Sequence, residues 1–262
     1  MLLVDVHAHL DHVDFKDDLD KVIQRAKSNS VKAIITNGIN PETNRLTLEI
    51  SKKYDIVRAA LGIYPIDALQ KEIEIGEYPL KPNIFDLDKE LAFIEKNKQN
   101  IVAIGEIGLD FKYSNKKDKQ KEVFKKMLIL AEKLNKPVIV HSRSAELECV
   151  EILQTTKLKK IVLHCFNGKL TLVKKAINNG WFFSIPTNIV RSQQFQKIVE
   201  ISPLSLLLTE TDAPYLSPFR GIKNEPSFVI ETIKKIAQIK SLDQEEVANN
   251  IYMNYKRVFE NP

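Results

Sequence analysis

Two histidines one residue apart close the first apolar stretch of the chain, which runs from Leu2 to Leu10. Side chains alternate between faces along a strand, so His7 and His9 point the same way if this stretch is extended. Neutral imidazole is a common metal ligand, and two imidazoles on one face form half of a metal pocket. The other half would have to come from elsewhere in the chain.

Four more polar residues follow apolar stretches in the same manner: Glu106, His141, His164 and Asp212. The chain has five histidines, and only His12 lies outside these predicted strand ends, just beyond the first. Four imidazoles and two carboxylates suit one or two divalent ions such as Zn²⁺, Mn²⁺ or Co²⁺. Without a cation, we expect repulsion between the two carboxylates and their burial to raise at least one of their pKa values.

The order of predicted elements explains how these residues could meet. Apolar strands alternate with amphipathic helices eight times along the chain. The predicted strands cover 2–10, 31–38, 56–65, 101–110, 137–143, 160–166, 181–186 and 205–214. Continuous apolar strands are typical of parallel sheets covered on both faces. Eight such units predict an α/β fold, a (β/α)8 TIM barrel, with residues 1–262 as a single domain.

The carboxyl ends of all barrel strands lie on one face, where active sites are built, so the six residues should converge there. An open doubly wound sheet is the alternative. That fold more often has a glycine-rich phosphate turn after its first strand, where this chain has HAHLDH. Residues 66–85 contain two prolines and are predicted to form a long loop over one end of the fold.

Composition argues against several classes of protein. No apolar run approaches the ~20 residues that span a bilayer, and the start MLLVDVHAHLDH is unlike a secretory signal. Two cysteines fit a reducing compartment, so we expect a cytoplasmic protein without a disulfide framework. The net charge of +5 favours a polyanionic partner only weakly and locates no binding groove. We expect a monomer that does not associate with membranes.

Six blocks, in this order and spacing, resemble the TatD-type deoxyribonucleases of the amidohydrolase superfamily. The blocks are HAHLD, GIYP, GEIGLDF, PVIVHSR, LHCFNG and TETDAPYLSP. The resemblance covers essentially the whole chain. It implies a metal-dependent hydrolase that cleaves phosphodiester bonds in DNA, with two divalent ions drawn from Mg²⁺, Mn²⁺ or Zn²⁺. We expect it to act as a 3′ to 5′ exonuclease in DNA repair.

The same resemblance implies a role for each polar residue. The ligands would be His7, His9 and Asp212 for one ion, and His141 and His164 for the other. Glu106 would bridge both ions. Asp212 would also orient or deprotonate the attacking water, which makes Asp212 and Glu106 the predicted catalytic residues. Two bound ions stabilise both the attacking and the leaving oxygen of a displacement.

Four residues are predicted to contact the substrate. Arg143 follows His141 by two residues, so it should face the same pocket, where its planar guanidinium suits a phosphate. An ion pair with a nearby carboxylate is the alternative. Arg220 is a second phosphate candidate. Tyr64 and Tyr215 could stack on a base or a sugar, or they could pack within the fold.

Three positions depart from the family pattern and leave substrate preference open. Tyr64 and Ile66 stand where relatives often have histidine, and Ser144 stands where they often have aspartate.

Two other functions remain: an amidohydrolase for a small amide, lactone or phosphoester, and a binding module that kept the scaffold. Many amidohydrolases bridge two metals with a carbamylated lysine on strand five, but Val140 and His141 occupy that stretch here. This favours the nuclease interpretation.

Overall fold

Eight parallel strands form the inner layer of the computed structural model, which describes residues 1–67, 84–114 and 116–260. The strands are β1 (Leu3–Ala8), β2 (Val31–Gly38), β3 (Val57–Leu61), β4 (Ile101–Asp110), β5 (Val138–Arg143), β6 (Ile161–His164), β7 (Phe182–Pro186) and β8 (Leu207–Glu210). Each strand pairs with the next in the chain, so their order in the sheet is the sequence order. All carboxyl ends therefore lie at one end of the sheet.

The first and last strands meet, which closes the sheet into a barrel. The Asp212 amide donates to the His7 carbonyl at 2.8 Å, and the His9 amide donates to the Ala213 carbonyl at 2.9 Å. The Thr209 hydroxyl also donates to a main-chain carbonyl of β1 at 2.6 Å. The predicted (β/α)8 TIM barrel is confirmed.

Helices cover the outside of the barrel and follow the strands in turn. They are α1 (Leu19–Ser28), α2 (Pro41–Lys53), α3 (Leu87–Lys96), α4 (Lys117–Leu134), α5 (Glu146–Gln154), α6 (Leu170–Asn178), α7 (Gln193–Ile201), α8 (Val229–Lys240) and α9 (Gln244–Tyr255). The start of α2 shows how local sequence determines where a helix begins. Asn40 accepts a hydrogen bond from the Thr43 amide at 3.1 Å, and Pro41 has a fixed φ suited to the first helical position.

Burial follows from this two-layer arrangement. Every residue of β1, β6, β7 and β8 is buried, as expected for strands covered on both faces. Several helices bury an apolar stripe, such as Val22, Ile23 and Ala26 of α1, whereas α2 buries mostly polar residues. No helix among the described residues combines the length and apolar character needed to cross a bilayer.

Four predicted strands extend too far. β1 ends at Ala8, β3 at Leu61, β6 at His164 and β8 at Glu210, whereas the predicted ends were residues 10, 65, 166 and 214. His9 and Asp212 therefore lie just past their strands. The backbone leaves the sheet there, because Asp212 has a positive φ of 56°. Most of the predicted loop 66–85 falls on 68–83, which lies outside the described residues.

Candidate metal centre

His7 near the end of β1 and His9 just past it point into the same centre, as the spacing predicts. Their Nε2 atoms are 3.3 Å apart. His7 is fully buried, whereas the His9 side chain is 13% exposed. The Nδ1 atom of His9 lies 3.1 Å from the Asn37 carbonyl oxygen, to which it donates. This bond leaves the Nε2 lone pair of His9 directed into the centre.

Glu106 lies between two pairs of histidines and presents one oxygen to each pair. Its Oε2 atom is 3.4 Å from His7 Nε2 and 3.5 Å from His9 Nε2. Its Oε1 atom is 2.8 Å from His141 Nδ1 and 3.8 Å from His164 Nε2. The carboxylate therefore joins side chains from both sides of the barrel mouth.

Asp212 completes the group around His7 and His9. Its Oδ1 atom is 3.7 Å from His7 Nε2 and 3.5 Å from His9 Nε2. Aspartate tolerates the left-handed backbone conformation found at this position better than most residues. That conformation follows directly from the closure of the barrel, since the Asp212 amide bonds to the end of β1.

The spacing of these donors fits a shared divalent ion. Ligand atoms about 2.1 Å from a tetrahedral ion are separated from one another by about 3.4 Å. Five of the six distances among the ligand atoms of His7, His9, Glu106 and Asp212 are 3.3 to 3.7 Å, all except that between the two carboxylates. A second group of Glu106, His141 and His164 places one ligand atom of each within 4.8 Å of the others. Nitrogen and oxygen donors in this mixture suit Zn²⁺ or Mn²⁺.

The imidazoles and carboxylates shift each other's pKa. Burial opposes ionisation of Glu106, but His7 and His141 hold its pKa well below the usual range. Burial likewise opposes ionisation of Asp212, and its hydrogen bond with His9 lowers its pKa. In turn, despite burial, Asp212 and Glu106 raise the pKa of His9 to about 10. The expectation that repulsion raises a carboxyl pKa here is wrong, because the imidazoles supply compensating positive charge.

Comparison with known proteins decides the family. The profile described as "TatD related DNase" matches residues 4–260. The chain belongs to this family. Human deoxyribonuclease TATDN3 is 36% identical over 98% of the chain and 94% of its own length. The uncharacterized metal-dependent hydrolase MJ1582 of Methanocaldococcus jannaschii is 40% identical over 98% of the chain and 96% of its own length.

Solved structures agree with this assignment. The crystal structure of YJJV, a TatD homologue from Escherichia coli K12, superposes with a TM-score of 0.86 at 25% identity, covering 99% of this chain and 98% of that one. A hydrolase of the TatD family from Entamoeba histolytica has the same fold, with a TM-score of 0.85 at 23% identity, covering 99% and 98%. Together with the imidazole and carboxylate cluster, the family makes this chain a metal-dependent hydrolase that binds divalent metal.

Two glycines of this TatD-family hydrolase let neighbouring strands approach the centre. A Cβ on Gly62, directly after β3, would lie 2.4 Å from the Glu106 carbonyl oxygen. A Cβ on Gly108 would lie 2.0 Å from the His141 carbonyl oxygen, and the φ of Gly108 is +144°. Glycine is therefore required at both positions if Glu106 and His141 are to keep these places.

Two carboxylates that sequence reasoning missed hold the histidines of β5 and β6. His141 Nε2 is 3.2 Å from Asp110 Oδ2, and His164 Nδ1 is 2.9 Å from Glu210 Oε2. The Ser184 hydroxyl donates to the same Glu210 oxygen at 2.5 Å. Strand periodicity could have found both, because Asp110 is four residues after Glu106 and Glu210 is two before Asp212. Such carboxylates fix the orientation of ligand histidines.

A third missed carboxylate, Asp5, ties the ends of β1 and β8 together. Its Oδ1 atom accepts bonds from the amides of His7, at 3.3 Å, and Thr211, at 2.9 Å. Its Oδ2 atom accepts the Thr211 hydroxyl at 2.5 Å. Burial raises the pKa of Asp5 to about 8. The strand alternation marks Asp5 as facing the same way as His7, which was the available signal.

The predicted substrate residues occupy different depths around the centre. The side chain of Arg143 is 44% exposed, with Nε 3.7 Å from Asp110 Oδ2. Tyr64 is buried, and its hydroxyl donates to the same Asp110 oxygen at 2.7 Å. Tyr215 is half exposed, with its hydroxyl 3.1 Å from His12 Nε2. Arg220 is exposed on the segment after β8, and its substrate role, like the others, stays a prediction.

Proposed function

We propose that the chain is a deoxyribonuclease that hydrolyses phosphodiester bonds in DNA with two divalent ions. The observation that carries the proposal is the position of Glu106, whose two oxygens face two separate histidine pairs. Paired ions suit phosphodiester cleavage because a phosphodiester has both an attacking and a leaving oxygen to stabilise. The human relative named a deoxyribonuclease supports DNA as the substrate.

The ligand assignment follows the two groups of contacts. His7, His9 and Asp212 would hold one ion, His141 and His164 would hold the other, and Glu106 would contribute to both. The ions are Mg²⁺, Mn²⁺ or Zn²⁺, and the number of imidazole donors favours Zn²⁺ or Mn²⁺ over Mg²⁺. When bound, divalent ions lower the pKa of water and offset the negative charge of the phosphate.

Asp212 is the proposed proton acceptor for the attacking water. Its side chain is 15% exposed, compared with 4% for Glu106, so water reaches Asp212 more readily. Its Oδ1 atom faces His7 and His9, which keeps the carboxylate ionised and oriented. A positioned general base contributes about 10²- to 10⁴-fold to the rate.

The exposed side chains near the centre would bind the strand. Arg143, the last residue of β5, would contact a phosphate, because its guanidinium is exposed and lies beside Asp110 at the end of β4. Tyr215 would stack on a base, and Arg220 would contact a further phosphate. Tyr64 would act through Asp110, since its buried ring offers little surface for stacking. We propose 3′ to 5′ exonuclease action on DNA ends. The monomeric state and the cytoplasmic location stay predictions.

End-labelled single-stranded DNA tests this function. Cleavage from the 3′ end releases a labelled mononucleotide first from a 3′-labelled strand and gives a ladder from a 5′-labelled strand. We expect EDTA to abolish turnover, and Asp212→Asn to lower kcat by roughly 10²- to 10⁴-fold. Asp14→Asn, at an exposed carboxylate outside the centre, should match the wild type.

Other outcomes decide against parts of the proposal. Internal cuts in both labelled strands would replace the exonuclease with an endonuclease. Hydrolysis of small amides, lactones or phosphoesters with intact DNA would favour the alternative amidohydrolase. Metal analysis of the purified protein should return about two ions per chain, and a value near one would remove the paired site.

A further inference from the structure

The positive charge of this protein is concentrated in one short segment. Residues 111–126 contain seven lysines and two acidic residues. When these are removed from the 39 basic and 34 acidic residues of the chain, 32 of each remain. The segment therefore carries the whole net charge of +5, and the remainder of the chain is neutral. We call residues 111–126 the lysine segment.

The lysine segment begins at the metal centre. The Phe111 amide donates to the Arg143 carbonyl at 2.9 Å, and the Lys112 amide donates to Asp110 Oδ1 at 3.0 Å. Gln120, in the first turn of α4, exchanges two hydrogen bonds with the main chain of Asp110, at 2.7 and 2.8 Å. Asp110 itself contacts His141. The segment is thus fastened to the carboxyl ends of β4 and β5, on the face that holds the centre.

Aromatic rings arrange the cations along this segment. Lys112 Nζ lies 5.4 Å from the Tyr113 ring centroid, and the Arg143 guanidinium lies 5.5 Å from the same centroid. Lys117 Nζ lies 4.7 Å from the Phe111 ring centroid. Cation–π contacts of this kind hold a cation in place without neutralising it. A path of cations thus runs outward from Arg143, beside the centre, to α4.

Three lysines at the start of this segment are available to a ligand. Lys112, Lys116 and Lys117 are exposed, and no described carboxylate lies within ion-pair distance of them. Within the same segment, Lys119 and Lys126 do pair with Glu122, at 3.2 and 3.1 Å. A solvated helix surface usually interleaves both signs of charge, as the second half of the segment does. Residues 111–117 do not, because they contain three lysines and no acidic residue before Asp118.

We propose that the lysine segment is a track for the phosphate backbone of the DNA strand, leading to the metal centre past Arg143. The inference rests on the proposed function, because it assumes that the ligand is a nucleic-acid strand. A row of cations spaced along one rim suits a polyanion better than a single small anion. The track predicts that strand affinity depends on salt through these lysines specifically.

Two triple variants test the track. Lys112→Ala, Lys116→Ala and Lys117→Ala together remove its exposed cations. Lys52→Ala, Lys96→Ala and Lys98→Ala together remove the same charge from exposed lysines at and beyond the carboxyl ends of α2 and α3. The probe is a fluorescent phosphorothioate oligothymidylate, which resists cleavage, with binding followed by anisotropy on the metal-loaded proteins across a salt series.

We expect the track variant to bind at least about tenfold more weakly at low salt, with the slope of log K against log salt reduced by about 2. The control triple should follow the wild type, and circular dichroism should show all three proteins folded. If the two triple variants have the same slope of log K against log salt, the proposed phosphate track is wrong. A wild type that binds the strand but leaves ordinary DNA uncut would instead overturn the proposed function.

Discussion

The two halves of the metal centre are supported in different ways. In the β1–β8 half, formed by His7, His9 and Asp212, main-chain groups hold the His9 ring and the Asp212 backbone, while the Asp5 carboxylate ties the two strands together. The Asn37 carbonyl holds His9, and the Asp212 amide bonds to the His7 carbonyl. In the β5–β6 half, formed by His141 and His164, each ring is held instead by a carboxylate. Asp110 supports His141, and Glu210 supports His164.

Exposure separates His9 and Asp212 from the other ligands, because His7 is fully buried like the β5–β6 pair. The side chains of His9 and Asp212 are 13% and 15% exposed, whereas those of His141 and His164 are 7% and 4% exposed. Water and substrate therefore reach the β1–β8 half through His9 and Asp212. Main-chain supports survive side-chain substitution, but a supporting carboxylate can be removed singly. Metal binding by the β5–β6 half can therefore be weakened by itself, whereas a change at Glu106 affects both halves.

The largest effect should come from Glu106→Gln, because this change acts on both halves at once. Loss of an ionised bridge removes several kcal/mol of stabilisation, equal to roughly 10³-fold in kcat or more. We expect bound metal, measured by elemental analysis after dialysis, to fall for both ions. A Glu106→Gln variant that keeps two ions would contradict this prediction, because Glu106 would then not be a ligand shared by both halves.

Glu210→Gln should have an intermediate effect that is confined to the β5–β6 half. The support of His164 weakens, and we expect one ion to lose about 10- to 100-fold in affinity. Titration with metal should therefore resolve one unchanged and one weakened site. Glu200→Gln in α7, at a side chain that is 56% exposed, is the matched control. Equal weakening of both sites would argue that the halves are not separable.

The smallest effect should come from Tyr64→Phe, which removes one hydroxyl behind Asp110. The lost hydrogen bond, 2.7 Å long, should cost about 1 kcal/mol in the free energy of unfolding. Metal content should stay at two ions, while KM for DNA rises a few-fold as His141 and Arg143 loosen. Denaturant unfolding and steady-state kinetics measure both. Tyr252→Phe in α9 is a control, and a Tyr64→Phe protein without metal would contradict this ranking.

The fold and the convergence of six side chains could be predicted because both depend on local patterns. Apolar strands alternate with amphipathic helices, and the parallel barrel sends every strand end to one face. The same pattern gave strand ends that were too long at His9 and Asp212. Closure of the sheet bends the chain there, and closure is a long-range contact that periodicity does not contain.

The supporting residues and the lysine segment were missed for different physical reasons. Asp110 and Glu210 stand two or four residues from predicted ligands, so alternation placed them on the right face, but only the fold pairs each with its histidine. The net charge of +5 suggested no groove because it was averaged over the chain. The lysines that carry this charge can be assigned to the metal centre only once α4 is known to begin beside β4 and β5.

The bond between Asp5 and Thr211 joins residues that are 206 positions apart. During synthesis, the amino-terminal histidines leave the ribosome long before the segment that carries Asp212. A nascent chain therefore has an incomplete set of ligands until its last strand is available. Metal capture at the β1–β8 half thus reports that the barrel is complete, and truncated chains should lack a high-affinity ion there.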